Sequence, residues 1–293
     1  MNGITITGVS SSNTEEMNKA VRSLVNNDSN YKRLIEKVDS IYINTSVEKH
    51  FDIITDALNL KKHVLCESPI CSDLKRSKEL FELAKKNNVI LMEAIRTAYS
   101  TAYERLVLLV KAGKIGKVLS IDATCTDMSK SKSEDYEVNS FEMWGPNALL
   151  PIFQILGVKY KDYKIISHFK DSEKKQDDFT KIDFIYENAT ASIKVAEGAK
   201  SEGELIITGT EGYIYVPAPW WKTDYFEIRY ENAEKNKRFF YQLDGEGIRY
   251  ELVSFAKSVQ AKKKSDNIDE TISLAISEMM MNFKNKKKLI EIK

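Results

Sequence analysis

Asp39-Ser40-Ile41-Tyr42-Ile43, Lys62-His63-Val64-Leu65-Cys66 and Val89-Ile90-Leu91-Met92 are three short apolar runs. Between them lie two amphipathic stretches, from Glu48 to Leu60 and from Ser72 to Asn87. Brief apolar strands alternating with helices of about ten to fifteen residues predict a mostly parallel sheet covered by helices. Upstream, Ile4-Thr5-Ile6-Thr7-Gly8-Val9 is a further β-branched run, and Ser10-Ser11-Ser12-Asn13 ends it before a helical stretch from Thr14 to Leu24. Asn13 followed by Glu16 is a variant capping box, in which each side chain takes one free backbone N–H at the helix start.

Downstream of Gly116 the texture changes. Val118 to Asp127, Lys181 to Tyr186, Thr190 to Ala196, Glu204 to Thr208, Tyr213 to Val216 and Tyr225 to Tyr230 are longer alternating runs that read as antiparallel strands. Helical stretches are expected at Ala148 to Leu156, Gly247 to Ala261 and Asp269 to Phe283. The economical architecture is an open sheet with helices on one face. The expected fold class is therefore α/β: a truncated Rossmann-like parallel sheet over residues 1–97, then an α+β domain with an open, mostly antiparallel sheet over residues 98–293. The basic run Lys262-Lys263-Lys264 reads as a solvated helix end.

Composition narrows the partners. Lys plus Arg number 44 against 43 for Asp plus Glu, so no charge excess points to nucleic acid or an anionic membrane. Cys66, Cys71 and Cys125 are odd in number and lack zinc-ribbon or disulfide spacing, and with three histidines no metal site is expected. No window reaches the roughly 20 apolar residues of a membrane span, and a cytoplasmic location is expected.

The segments Val38 to Ser46 with His50, Lys61 to Pro69, and Leu91-Met92-Glu93-Ala94 resemble, in order and spacing, successive strand-end signatures of the Gfo/Idh/MocA family of NAD(P)-dependent sugar oxidoreductases. Gly113-Lys114-Ile115-Gly116-Lys117-Val118, Gly209-Thr210-Glu211-Gly212 and Gly245-Glu246-Gly247 continue the resemblance along the chain. It implies a Rossmann domain holding NAD(P), a C-terminal sheet contributing a substrate pocket and often an oligomer interface, and hydride transfer at a sugar or polyol carbon.

The sequence departs from that pattern in four places. No G-x-G-x-x-G occurs; Ile4 to Val9 aligns best with the family's second strand, and were it the first instead, its turn would offer Gly8 alone, with Glu15 and Glu16 competing against phosphate. Ser10, Ser11 and Ser12 stand where a charged residue usually reads the ribose edge. The family's Glu-Lys-Pro is Glu67-Ser68-Pro69, and loss of such an acid/base costs ~10²–10⁴ in rate. Finally, Pro151 and Ile155 occupy the positions of the family's aspartate and histidine or tyrosine, leaving Asn147 and Gln154 as polar substrate contacts that are not bases near neutral pH.

The expected function is thus that of a non-catalytic relative with weak or no NAD(P) binding, acting as a binding or partner subunit for a sugar or polyol. Alternatives are an active dehydrogenase using altered residues, or a structural protein forming a homo- or hetero-oligomer through the C-terminal sheet. Ser10, Ser11, Thr45, Ser46, His50, Glu67 and Pro69 are the candidate cofactor contacts that the resemblance implies. His50 has two readings, as a cleft-facing acid/base or as a cap or carbonyl partner. Glu93 likewise either faces the cleft or pairs with Arg96 or a lysine. Trp220 and Trp221 are candidates to stack on a sugar or to meet a second subunit, against the alternative of core and edge cover. His63 and His168 read as structural. A missing first strand would leave a central slot, filled either by Ile4 to Val9 or by closure of the remaining strands.

Overall fold

The computed structural model describes residues 3–11, 26–27, 30–128, 139–171, 176–265 and 267–293. The expected helix from Thr14 to Leu24 and its Asn13/Glu16 cap lie outside them. Strands β1 (Gly8–Val9) and β2 (Asn26–Asn27) pair in parallel as a separate two-stranded sheet. After helix α1 (Tyr31–Glu36), strands β3 (Ser40–Ile43), β4 (His63–Glu67) and β5 (Leu91–Ala94) form a three-stranded parallel sheet in the order β3-β4-β5. Helix α2 (Val47–Asn59) joins β3 to β4, and α3 (Leu74–Asn87) joins β4 to β5.

Local chemistry places these boundaries. Asp73 caps α3 by accepting from the Arg76 N–H at 2.8 Å, and Asn88 ends it in the left-handed region at φ 55°. Val64, Leu65, Cys66, Leu91, Met92 and Ala94 are all buried, as both faces of a helix-covered parallel sheet require.

Neither expectation for the central slot is met among the described residues: β1 pairs with β2, and β3 pairs with β4 alone. A central parallel strand is buried on both faces, whereas Thr5, Ile6 and Thr7 are exposed.

Helix α4 (Thr101–Lys111) leads into a nine-stranded sheet of strands β6 (Val118–Asp127), β7 (Asp162–Asp171), β8 (Gln176–Ile185), β9 (Thr190–Glu197), β10 (Leu205–Gly209), β11 (Tyr213–Val216), β12 (Tyr225–Arg229), β13 (Lys237–Phe240) and β14 (Leu289–Ile292). Their order is β13-β12-β11-β10-β6-β9-β8-β7-β14. Pairing is antiparallel except at β6–β9 and β14–β7. The long β6 was legible in full, whereas β7, β13 and β14 are additions; β13 and β14 are edge strands with mostly exposed residues, which carry little buried–exposed alternation.

Helix α5 (Ser140–Leu156), longer than the expected Ala148 to Leu156, contains Pro146 and Pro151 and packs on β6, β8 and β9. Helices α6 (Ile248–Ala261) and α7 (Glu270–Lys284) return to the first domain, where α7 packs on α3 and Ser77 bonds Ser277 at 2.8 Å. This return brings residues far apart in sequence behind the small sheet. Lys264, expected at a solvated helix end, has its amine buried there, while Lys262 and Lys263 are exposed. Among the described residues no helix is long and apolar enough to cross a membrane.

Candidate functional site

The carboxyl ends of β4 and β5 open onto a cleft of about 300 Å³ facing α5 and two single-turn segments, Trp220–Lys222 and Asp244–Gly247. Strand ends collect such sites because consecutive parallel strands deliver their following loops to one edge. Glu67, Ser68, Arg96 and Thr97 form the first-domain side, and Trp144, Asn147, Trp221, Lys222 and Glu246 the other.

The polar groups are held in place. Tyr42 donates its hydroxyl proton to Glu67, whose other neighbour is Arg96, with Nη2 at 3.5 Å. Thr97 Oγ1 lies 2.9 Å from the Trp221 carbonyl and 3.2 Å from Asn147 Oδ1, which joins the two sides of the cleft. Asn147 thereby brings an amide, with both donor and acceptor atoms, to the cleft wall. Lys222 Nζ donates to Glu246 at 2.7 Å. The rings of Trp144 and Trp221 are 5.1 Å apart at 57°, an aromatic corner suited to the apolar face of a sugar ring.

Behind the cleft lie two buried carboxyls. Ser68 donates its hydroxyl proton to Glu93, which is fully buried on β5. Burial pushes the Glu93 carboxyl up, while the Ser273 and Ser68 hydroxyls and the Lys264 ammonium favour its ionised form. Glu251 on α6 is also fully buried, and neither of its oxygens has a hydrogen-bond partner. Burial, and then the charge of Glu67, push its carboxyl up to about 8 against the opposing charge of Arg96.

The sequence-derived candidates divide. Glu67, Ser68, Asn147 and Trp221 meet in the cleft. Trp220 does not: it is fully buried in the core and donates its indole N–H to Thr124 O at 3.0 Å. Gln154 turns the other way and donates to Asn267 O. His50 is buried between two strand ends, with Nδ1 3.0 Å from Pro69 O and Nε2 3.1 Å from Thr45 O, so that a neutral imidazole donates to one of these carbonyls, and it is not part of the cleft lining. Of its two readings the carbonyl partner is the one that this geometry serves. Glu93 meets Ser68 and the charge of Lys264, while Arg96 pairs with Glu67 instead. Thr45 is exposed and its hydroxyl faces Ser46 O; Ser46, Ser10 and Ser11 are half-buried, Pro69 is buried, and Ser12 lies outside the described residues. His63 accepts from Ile90 N and His168 pairs with Asp178, both within strands. Arg96, Lys222, Glu246 and Glu251 were not singled out as site residues. Only the tertiary fold gathers them, although Glu246 stands inside a quoted glycine pair.

A diphosphate cradle requires backbone close enough to the ligand that only glycine fits. The chain contains no glycine between Gly8 and Gly113, so none of the loops after β1 to β5 offers such a turn. Glycines where a Cβ would collide with backbone, Gly209 against Ile115 and Gly212 against Arg229, serve turns of the nine-stranded sheet. The residues described here do not fit a nicotinamide dinucleotide held in that manner. Among the described residues no three His, Cys, Asp or Glu side chains converge on a metal position.

Residues 1–95 match the Gfo/Idh/MocA oxidoreductase family with an NAD-binding Rossmann fold. Trans-1,2-dihydrobenzene-1,2-diol dehydrogenase of Danio rerio is 30% identical over 95 residues, covering 32% of this chain and 28% of that protein. The scyllo-inositol 2-dehydrogenase (NADP(+)) of Bacillus subtilis is 37% identical over 68 residues, 23% of this chain and 21% of that one. The chain thus aligns with about a quarter of the length of these curated relatives. A 3-ketoreductase from Actinomadura kijaniata, solved with NADP and TDP-benzene, superposes with a TM-score of 0.84 at 16% identity, covering 98% of this chain and 91% of that one. At that identity the superposition establishes the two-domain fold.

Proposed function

Since residues 1–95 match the Gfo/Idh/MocA oxidoreductase family, we propose that the chain is a family member binding a polar, sugar-like molecule in the interdomain cleft, without dehydrogenase turnover by the lysine route. One observation carries this reading: at the position where the resemblance puts the lysine, Ser68 opens on the cleft with its only proton engaged by Glu93. A serine hydroxyl has no ionisation near neutral pH, so it does not replace a lysine as proton donor to a reacting oxygen. The Trp144–Trp221 corner, the amide of Asn147 and the cations Arg96 and Lys222 support recognition of a hydroxylated ring. The likeness to a scyllo-inositol 2-dehydrogenase points the same way. The glycine-free stretch from residue 9 to 112 supports weak or absent NAD(P) binding.

Calorimetry with NAD⁺, NADH, NADP⁺ and NADPH, and with a panel of sugars, polyols and their keto forms, tests this. A sugar-class ligand that binds without dinucleotide is the expected result; micromolar affinity for any of the four dinucleotides removes the main support. A second reading, an active enzyme using altered residues, is favoured by Lys222, an amine that lines the cleft. NAD(P)H-dependent turnover abolished by Lys222→Met is its signature.

Self-association through the nine-stranded sheet is part of the proposal. Leu119, Ile185, Tyr213, Phe240, Ile290 and Ile292 are large exposed hydrophobics on its strands, the kind of surface that oligomers cover. Light scattering distinguishes the oligomer from a monomer.

A further inference from the structure

A second cavity, of about 270 Å³, shares no lining residue with the cleft. It lies where the start of α5, the end of α7, strand β7 and the first turn of α2 meet. We propose that it is a separate binding site for a small zwitterion with an apolar body, of the class of an α-amino acid with a large apolar side chain.

The floor of this cavity is apolar and closely packed. Phe141 and Met280 are buried, and the Phe283 ring lies 4.9 Å from that of Phe141 at 47° and 6.2 Å from that of Phe169 at 22°. Gly145 makes room for this packing: a Cβ there would stand 2.7 Å from the Phe141 ring and 2.9 Å from the Met280 methyl. Glycine weakens a helix interior, and the close approach of these two side chains accounts for its presence inside α5. The Phe141 N–H is fixed as well, donating to Asp177 Oδ2 at 3.0 Å.

The rim carries both signs of charge. Glu48 and Glu142 come from α2 and α5, Lys284 and Lys286 from the end of α7 and the turn beyond it. Among the described residues no ion pair joins Glu48, Glu142 or Lys284 to another side chain. Lys286 reaches Glu291 at 3.7 Å, and its amine lies 5.2 Å from the centre of the Phe169 ring. Burial, and then the Glu48 charge, push the Glu142 carboxyl up, with the Asn139 side chain and the Lys284 charge acting the other way.

Two carboxylates on one cavity favour a cation, and two ammoniums favour an anion. A ligand with a single charge therefore gains at one pair and loses at the other, whereas a zwitterion gains at both. The aromatic floor adds affinity by burying an apolar body. Size sets the class: the volume falls just below the roughly 300–1,000 Å³ that drug-sized ligands fill, which limits the occupant to amino-acid dimensions.

Calorimetry on the full chain tests this with L-phenylalanine, with phenethylamine, which lacks the carboxylate, and with 3-phenylpropionate, which lacks the ammonium. L-Phenylalanine should bind about fivefold or more tightly than either analogue, the scale of one ion pair at a partly exposed site. Lys284→Met should abolish its advantage over phenethylamine alone, and Glu142→Gln its advantage over 3-phenylpropionate alone. Lys284 is exposed and Glu142 half-buried, so neither change empties the core. No saturable binding of L-phenylalanine at millimolar concentration overturns the proposal. So does an analogue that binds the wild type equally well, or an order of affinities that either variant leaves unchanged. The reading of the cleft stands apart from all of these outcomes, because its ligand meets other residues.

Discussion

Replacing Glu251 by glutamine should stabilise the protein in a strongly pH-dependent way. Glu251 is fully buried, has no hydrogen-bond partner, and is pushed from the ordinary 4.5 up to about 8. Between those two values the unfolded chain gives up the proton and the folded chain keeps it, so the folded state loses stability steadily as pH rises from about 4.5 to about 8 and no further above that. At about 1.4 kcal/mol for each tenfold difference in proton affinity, the full cost above pH 8 is about 4–5 kcal/mol, an upper bound because structure relaxes around a buried charge. Glutamine keeps the shape and cannot ionise. Urea unfolding followed by circular dichroism at pH 5, 6.5 and 8.5 should therefore show the variant within about 1 kcal/mol of wild type at the lowest pH, with a gain growing to several kcal/mol at the highest. A difference that is constant with pH, or a variant less stable at pH 8.5, refutes the argument that this carboxyl is carried neutral in the fold.

The neighbouring tryptophans should separate cleanly. Trp220→Ala removes a fully buried ring and should cost about 3–5 kcal/mol in denaturant unfolding, whereas Trp221→Ala should leave stability closer to wild type and weaken cleft ligands in calorimetry. His50→Ala removes a buried ring packed between the Thr45 and Pro69 carbonyls, one of them its hydrogen-bond partner, and should cost about 1–3 kcal/mol in stability; loss of ligand affinity with no change in melting would contradict this structural role. Ser68→Lys puts an amine beside Glu93 at the family's position, yet should not yield NAD(P)H turnover on the sugar panel, because the glycine-free loops still lack a diphosphate cradle. Turnover in that variant would show that the lysine alone was wanting.

Much of the fold was legible because its signals are local. Helix α2 was expected from Glu48 to Leu60 and forms at Val47–Asn59, and β6 and β11 appear at their expected bounds. Amphipathic period and cap residues are properties of neighbours in sequence, and they survive folding. The edge strands β13 and β14 were missed for the same reason, since half-exposed residues carry no alternation to read. Of the site, Glu67, Ser68 and Asn147 were reached through motif positions and Trp221 as one of two adjacent tryptophans, but Gln154 and Trp220 were not separable from them by pattern. Gln154 sits on the same helix as Asn147, and the turn of that helix sends it to Asn267 instead.

What the amino-acid order determined by itself is the alternation of strands and helices, the serine at the lysine position and the want of glycine between residues 8 and 113. Composition and local periodicity suffice for these, because each is a statement about one residue or its near neighbours. Only the tertiary structure decided which of two adjacent tryptophans faces the cleft, which of three consecutive lysines buries its amine, and that Glu251 lies behind Arg96. Identical side chains one position apart differ only in what packing brings against them from distant parts of the chain, and burial, charge and hydrogen bonding are all set by those distant partners.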